Sequence, residues 1–186
     1  MKPYVIGIAG GSASGKTTFA LALSDALRGL DTLVMHMDSY FKPERQRPRS
    51  RAPITGKTYL DDNHPLTMDL PKLADDLAKK IAKGRRQVII VEGLLTLHDP
   101  AIYGQLDLKL FIDCRADERI VRRLRRNMES GLKFDQISEI YLDLVRYRHD
   151  EYVEPSKWRA DIILNGSSPS NIALELIAND IKGRFP

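Results

Sequence analysis

Short apolar runs alternate along this chain with longer stretches in which apolar residues recur every three or four positions. The runs at 4–9, 33–37, 88–91, 108–112 and 161–164 are of strand length, and Val88, Ile89, Ile90 and Val91 are β-branched residues in succession. Between the runs the period lengthens. Phe19, Ala20, Leu23, Ala26 and Leu27 form a helical stripe that Gly29 is placed to close. Leu70, Leu73, Leu77 and Ile81 form another across 69–83, with Gly84 behind it. Residues 116–128, 134–152 and 169–181 read as further helices. Residues 42–65 break both patterns. Pro43, Pro48, Pro53 and Pro65 stand there among dense charge, which predicts a loop or irregular excursion with at most short structure. Loops this long inside compact domains are commonly functional. Five strands alternating with helices predict a three-layer α/β fold around a mainly parallel sheet. In such sheets ligands gather at the carboxyl ends of the strands.

With 186 residues, 42% hydrophobic and 29% charged, the chain suits a single globular domain spanning 1–186, not a disordered or collagenous one. Its one cysteine, Cys114, excludes an internal disulfide and a cysteine-built zinc site, and it fits a reducing compartment. No apolar run approaches the roughly 20 residues of a membrane helix. Residues 1–11 run into glycines rather than a cleavage site and read as a first buried strand, so a cytoplasmic location without membrane attachment is expected. The net charge is only +4, yet it is concentrated. Lys42, Arg45, Arg47, Arg49 and Arg51 stand against Glu44 alone, and Arg119, Arg122, Arg123, Arg125 and Arg126 crowd one short segment. Without those two segments the chain is net acidic, which points to a localised anion and not to a coat of nucleic acid.

Gly10-Gly11-Ser12-Ala13-Ser14-Gly15-Lys16-Thr17 fits G-x-x-x-x-G-K-[ST] at every position, between an apolar strand and an amphipathic helix. Glycines let backbone N–H groups turn inward as a nest for phosphate oxygens. The helix behind adds unpaired N–H groups and the positive end of its dipole. Gly11, Ser12, Ala13, Ser14, Gly15, Lys16, Thr17 and Thr18 are therefore the expected phosphate cradle. Lys16 brings a mobile charge to the β- and γ-phosphates, and the Thr17 hydroxyl is the expected Mg²⁺ ligand, so ATP and Mg²⁺ are the expected cofactors.

Two acids end strands. Asp38 follows the second, where a carboxylate can take the proton of an acceptor hydroxyl as it attacks; turn initiation is its other open role. Glu92 ends the β-branched run ahead of Gly93, an arrangement in which the acid holds Mg²⁺ directly or through water. A solvated strand-end glutamate is the plainer alternative. Loop, base and metal-side acid fit in-line phosphoryl transfer to a bound hydroxyl. A GTPase switch would need a guanine-reading Asn-Lys-x-Asp, which the sequence lacks.

Further segments follow the phosphate loop in order: Asp38-Ser39-Tyr40-Phe41-Lys42-Pro43, Asn63-His64-Pro65, Val91-Glu92-Gly93, Phe111-Ile112-Asp113 through Arg119, and Glu154-Pro155-Ser156-Lys157. With them the chain resembles the uridine kinase branch of the uridine kinase/phosphoribulokinase family over most of its length. The resemblance implies a P-loop kinase fold with a small helical lid, about 119–134, and an acceptor-side loop, about 42–65. It implies that Asp38 is the base for a nucleoside 5′-hydroxyl, that Lys16 and Arg126 serve the transferred phosphate, and that Thr17 and Glu92 serve Mg²⁺. Arg122 falls on the nucleotide side, and Arg123 on the acceptor side with Tyr40, Phe41, Asp62, Asn63 and His64. Helical spacing independently brings Arg119, Arg122 or Arg123, and Arg126 onto one face, where guanidinium forks suit the charge of a moving phosphoryl group. A solvated basic helix paired with Asp117 and Glu118 is the competing reading.

The chain departs from that family where uridine kinases read the base. Their β-hairpin between the helix after His-Pro and the Glu-Gly strand is replaced by Gly84-Arg85-Arg86. Asp-His-Pro is Asn63-His64-Pro65 behind Asp61 and Asp62, the lid's Arg-Gly-Arg is Ser130-Gly131-Leu132-Lys133, and Ile140 takes a polar base-side position. The expected activity is an ATP-dependent kinase for the hydroxyl of a small molecule, first a nucleoside. Nicotinamide riboside, whose kinases share the Asp-x-x-Phe-Lys-Pro spelling, pantothenate and small sugars are the alternative acceptors. An ATP-binding regulatory module and, last, a nucleic-acid binder are the readings from other classes. A homo-oligomer stays open. His36 reads as a satisfied core histidine, His98 and His149 lack metal-ligand spacing, and Trp158 is expected beneath the adenine side.

Overall fold

The computed structural model describes residues 2–185. Its strands are β1 (Tyr4–Gly10), β2 (Thr32–His36), β3 (Arg49–Arg51), β4 (Thr58–Leu60), β5 (Val88–Glu92), β6 (Leu108–Asp113) and β7 (Ile162–Asn165). The helices are α1 (Lys16–Ala26), α2 (Leu70–Lys83), α3 (Pro100–Tyr103), α4 (Ala116–Glu129), α5 (Phe134–Ile140), α6 (Arg146–Arg148) and α7 (Asn171–Lys182). Five strands form one sheet in the order β2-β5-β1-β6-β7, and every pairing in it is parallel. Helices cover both faces, which explains why β5, buried along its whole length, is apolar up to Glu92. One face packs Ile6, Ile8 and Ile90 against Leu23 of α1, Leu27 just beyond its end, and Ile177 of α7. The other packs Val5, Ile89 and Val91 with Leu73 and Leu77 of α2 and with Met37 and Leu95. Each such side chain contributes about 1.5–3 kcal/mol on burial. The order β5-β1-β6 places the carboxyl ends that carry Glu92 and the phosphate loop side by side.

The ends of α2 follow local chemistry. The Asp69 side chain accepts the Lys72 N–H at 3.2 Å, Pro71 lies in the first turn, and Gly84 closes the helix at φ 57°. Residues 84–87 alone connect α2 to β5. The excursion at 42–65 has only short structure, as its sequence pattern predicts. It holds a 3₁₀ turn at Glu44–Gln46 and an antiparallel hairpin in which Ser50 opposes Tyr59. Arg-Ser-Arg carries no strand pattern, and the hairpin's order comes from partners far away in the chain. The stretch expected as one helix over 134–152 is helical but not regular. α5 and α6 are joined by a π-type turn at Tyr141–Val145, and a second at His149–Val153 precedes a 3₁₀ turn at Glu154–Arg159. Such turns insert extra residues and re-aim the side chains beyond them. Asp99, whose carboxylate accepts the Ala101 and Ile102 N–H groups, starts the unpredicted α3. Trp158, expected beneath the adenine side, is 79% exposed, with the Lys157 ammonium 5.4 Å from its ring centre. Among the described residues no helix is long and apolar enough to cross a membrane.

Candidate active site

The loop between β1 and α1 is shaped by its backbone. Gly15, at φ 98°, sits immediately before the first residue of α1, in a conformation open to glycine at little cost. Gly10 is required for space: a Cβ there would fall 2.6 Å from Ser14 Oγ and 2.7 Å from the Ile112 carbonyl. Ser14 N–H closes the loop on Gly11 O at 3.0 Å. The first-turn N–H groups of α1 have no intrahelical partner, and with the positive end of the helix dipole they make the loop a seat for phosphate.

Neighbouring strand ends deliver the acids. In the parallel register Glu92 lies beside Ile8 on one side and His36 on the other. Glu92 is 3% exposed. Its Oε2 accepts the Thr17 hydroxyl at 3.1 Å, and its Oε1 lies 2.8 Å from His36 Nδ1. Asp38 sits in the 3₁₀ turn Met37–Tyr40. Gly93 permits that turn's position, because a Cβ at 93 would meet Met37 Cβ at 2.3 Å. Burial pulls the pKa of the Lys16 ammonium down while the Glu92 and Asp38 carboxylates push it up, so the three charges share one site. The Thr17 hydroxyl and the two carboxylates are hard oxygen donors, the chemistry Mg²⁺ takes. Among the described residues no cluster of three or more His, Cys, Asp or Glu side chains forms a metal site by itself. An ion held here would complete its shell with phosphate and water oxygens.

α4 lays its basic face onto the loop. Arg119 is buried, donates from Nε to the Cys114 carbonyl at 3.0 Å, and backs Gly11 so closely that a Cβ there would lie 2.4 Å from its Nη1. Arg122 donates to Gly166 O at 3.0 Å and to Glu118 at 3.1 Å. Arg123 and Arg126 both donate to Ser12 Oγ, at 3.1 and 3.4 Å. Arg123 Nε is buried with no hydrogen-bond partner among the described residues, and burial, then the Arg126 charge, pulls its pKa down. Two guanidinium groups converging on one hydroxyl, with a buried donor left over, form a seat for an anion. Arg122 keeps the Glu118 pairing of a solvated helix and Arg125 and Arg126 are exposed, whereas Arg119 is buried and Arg123 reaches the loop.

Cavities lie on either side of this arginine bridge. One, of about 380 Å³, is mainly apolar, with Phe19, Ala22, Leu164, Pro169 and Leu174 in its walls and Gly15, Thr18 and Arg122 at its edge. The other, of about 170 Å³, is lined by Ser12, Lys16, Asp38, Arg123 and Arg126 together with Phe41, Asp62, Asn63, Met68 and Leu94. Two sequence-predicted acceptor residues stand outside it. The Tyr40 hydroxyl donates to Asp76 at 3.1 Å, and His64 Nδ1 accepts the Leu66 N–H at 3.1 Å as the cap of a turn.

Several side-chain pairings on this side could not be read from the sequence pattern. Arg47 covers the Phe41 ring at 4.8 Å and donates to Asp62 Oδ1 at 3.1 Å. Asp61 is fully buried, its carboxylate 2.6 Å from Arg148 Nε. The hairpin is clasped to the helical stretch behind the lid. Tyr59 and Thr55 hydroxyls each donate to Asp143 at 2.7 Å, and the Lys57 ammonium pairs with Glu139. The hydrogen bond to Asp143 leads the causes that push the Tyr59 phenol above its usual pKa. Glu139 and Asp143, one helical turn apart, were the available signal for this clasp. For His36 the only signal was a polar residue at the carboxyl end of an apolar strand.

A sequence profile of the Phosphoribulokinase / Uridine kinase family matches residues 61–173. The uridine kinase of Bacillus mycoides (strain KBAB4) is 34% identical to this chain, covering 97% of this chain and 93% of that enzyme. The chain belongs to the phosphoribulokinase/uridine kinase family. It is a small-molecule kinase, a phosphotransferase with a hydroxyl acceptor. Solved structures show the same fold at low identity. A possible uridine kinase from Bacillus stearothermophilus is 20% identical, with a TM-score of 0.61 over 88% of this chain and 89% of that one. The phosphoribulokinase from Rhodobacter spheroides is 12% identical, with a TM-score of 0.67 over 88% of this chain and 70% of that one. The α/β architecture expected of a P-loop kinase is therefore the one this family member has.

Proposed function

We propose that this family member transfers the γ-phosphoryl group of ATP, with Mg²⁺, to the ribose 5′-hydroxyl of a nucleoside. It does so from one domain over 1–186, with the lid at about 119–134 and the acceptor-side loop at about 42–65. The observation that carries the reading is the 170 Å³ cavity in which Asp38, Lys16 and the Arg123–Arg126 pair meet Asp62 and Asn63. The apolar 380 Å³ cavity beside Thr18 and Arg122 takes the adenine. Backbone N–H groups from Gly11 to Thr18 hold the phosphates, and Lys16 follows the β- and γ-phosphates. Thr17 and Glu92 would hold Mg²⁺, which neutralises phosphate charge when bound. Asp38 takes the hydroxyl proton as the acceptor oxygen bonds to phosphorus and the bond to the departing ADP oxygen breaks. Arg123 and Arg126 stabilise the charge spread over the moving group.

Asp62 and Asn63 engage the ribose hydroxyls, Tyr40 braces α2 from outside, and the His64 turn presents Asn63. Beyond the sugar the cavity offers Phe41, Met68 and Leu94, apolar walls without a hydrogen-bonding pattern for a base. Discrimination by hydrogen bonding needs such groups, so the base is held loosely. The relatives named uridine kinase support a pyrimidine nucleoside as first acceptor. The lid arginines folded onto the phosphate loop support a small-molecule role over nucleic-acid binding, and the single cysteine fits the reducing cytoplasm. The groups named here lie on this chain, so a homo-oligomer would carry these groups once per copy.

The test is ATP consumption with uridine, cytidine, nicotinamide riboside, pantothenate and small sugars, each product identified by mass. Nucleoside monophosphates should form with modest preference among bases. Phosphorylated pantothenate or free sugar, with no nucleoside product, would overturn the assignment.

A further inference from the structure

A carboxylate held away from water keeps one orientation only where each oxygen has a partner. Glu92 has two. Its Oε2 receives the Thr17 hydroxyl at 3.1 Å and its Oε1 faces His36 Nδ1 at 2.8 Å. An ionised carboxylate has no proton to offer, so the hydrogen of this contact sits on Nδ1. His36 and Glu92 are direct neighbours in adjacent parallel strands, so the contact is set by the sheet and not by a loop. The imidazole is 38% exposed and the carboxylate 4%, which puts the ring between the acid and solvent. Without the imidazole, Oε1 would be an unpaired buried oxygen. The Lys16 ammonium, already coupled to Glu92, is the charge that would draw it away from Thr17.

We infer that His36 is a positioning residue for the metal-side acid. It fixes Oε1 so that Oε2 stays at the Thr17 hydroxyl and off Lys16, and it thereby sets the Mg²⁺ affinity of the nucleotide-bound enzyme. The inference rests on the proposed Mg²⁺ role of Thr17 and Glu92. It adds a residue that lines neither of the two cavities, on an element the sequence pattern assigns to the core.

The experiment is calorimetric binding of a non-hydrolysable ATP analogue to the full chain, with and without Mg²⁺. It is paired with the Mg²⁺ concentration that gives half-maximal velocity. Two variants are compared: His36→Leu, which keeps bulk without a donor, and His36→Asn, which keeps an N–H near the Nδ1 position. In His36→Leu the Mg²⁺-dependent gain in analogue affinity should shrink about 10–100-fold, the usual effect of removing a group that orients a metal ligand. The half-saturating Mg²⁺ concentration should rise in parallel, while Mg²⁺-free analogue binding and the acceptor KM stay unchanged. His36→Asn should recover most of the loss. The inference is overturned if His36→Leu keeps the full Mg²⁺ gain, if His36→Asn is no better than His36→Leu, or if Mg²⁺-free binding collapses equally in both. A wild-type chain that gains nothing from Mg²⁺ would instead sink the Mg²⁺ reading of Thr17 and Glu92, and this inference with it.

Discussion

The two sides of the arginine bridge are built by different means. On the nucleotide side the shape comes from main chain: a glycine at φ 98° ahead of α1, a glycine with no room for a Cβ, and the open N–H groups of a helix end. On the acceptor side it comes from pairs of side chains that join distant segments: Arg47 with Asp62, Tyr59 with Asp143, Asp61 with Arg148. Main-chain geometry follows from a few residue types in one short stretch, and a chain that keeps the stretch keeps the shape. Side-chain pairing needs both partners and can be rebuilt pair by pair. On the proposed reading, phosphoryl transfer rests on the first and the choice of acceptor on the second.

This contrast can be broken by experiment. The largest effect should come from Asp38→Asn, at the border of the two sides. Turnover should fall about 10²–10⁴-fold, the range for a general base, with nucleotide affinity by calorimetry unchanged. Turnover surviving within a few-fold would put the base elsewhere. Next, Arg148→Ala leaves the fully buried Asp61 carboxylate without its cation and should cost about 3–5 kcal/mol in urea unfolding. Asp61→Asn combined with Arg148→Met should cost much less, and equal losses would show that the pair is not the source. Gly93→Ala attacks the border through the backbone. Its methyl would meet Met37 Cβ at 2.3 Å, so overpacking of about 1–3 kcal/mol should appear in thermal unfolding, with kcat reduced as the Asp38 turn shifts. Tyr59→Phe should raise the acceptor KM about two- to fivefold and leave the ATP KM alone. An equal rise in both would erase the distinction between the sides.

The smallest effect is a pH slope. Burial, then the Arg119 charge, holds the His149 pKa below its ordinary value of 6.5, against the opposing pull of Glu154 and Asp150. The unfolded chain therefore takes up this proton at a higher pH than the folded one. Stability is complete above about pH 6.5 and is lost as pH falls from there toward the lower folded value. Urea unfolding at about pH 7.5 and about pH 5.5 should show the decline, and His149→Gln should flatten it.

What the sequence disclosed follows the same division. The phosphate loop, the apolar run ending in Glu92 and the capped α2 are local patterns, and each stands where its pattern predicts. The hairpin was unreadable because Arg49-Ser50-Arg51 is a strand only through Thr58–Leu60 opposite and the acids of a distant helix. The π-type turns at Tyr141–Val145 and His149–Val153 share their apolar spacing with an ordinary helix, so nothing local announces them. Asp61 and Asp62 are neighbours in sequence, yet one is buried on Arg148 and the other opens onto the cavity; only packing separates them. His36 needed the register of β2 on β5 before its partner could be named.

The clasp between the hairpin and the helix behind the lid bears on redesign. The acceptor side is one working part written in two places along the gene. A foreign segment grafted into 42–65 alone would face Glu139, Asp143 and Arg148, residues suited to other partners, and would strand a cation beside a lost acid. A chimera with a new acceptor should exchange 42–65 and 134–153 together and leave the lid helix between them untouched. Evolution, under the same constraint, would change this enzyme's substrate by matched steps at both places.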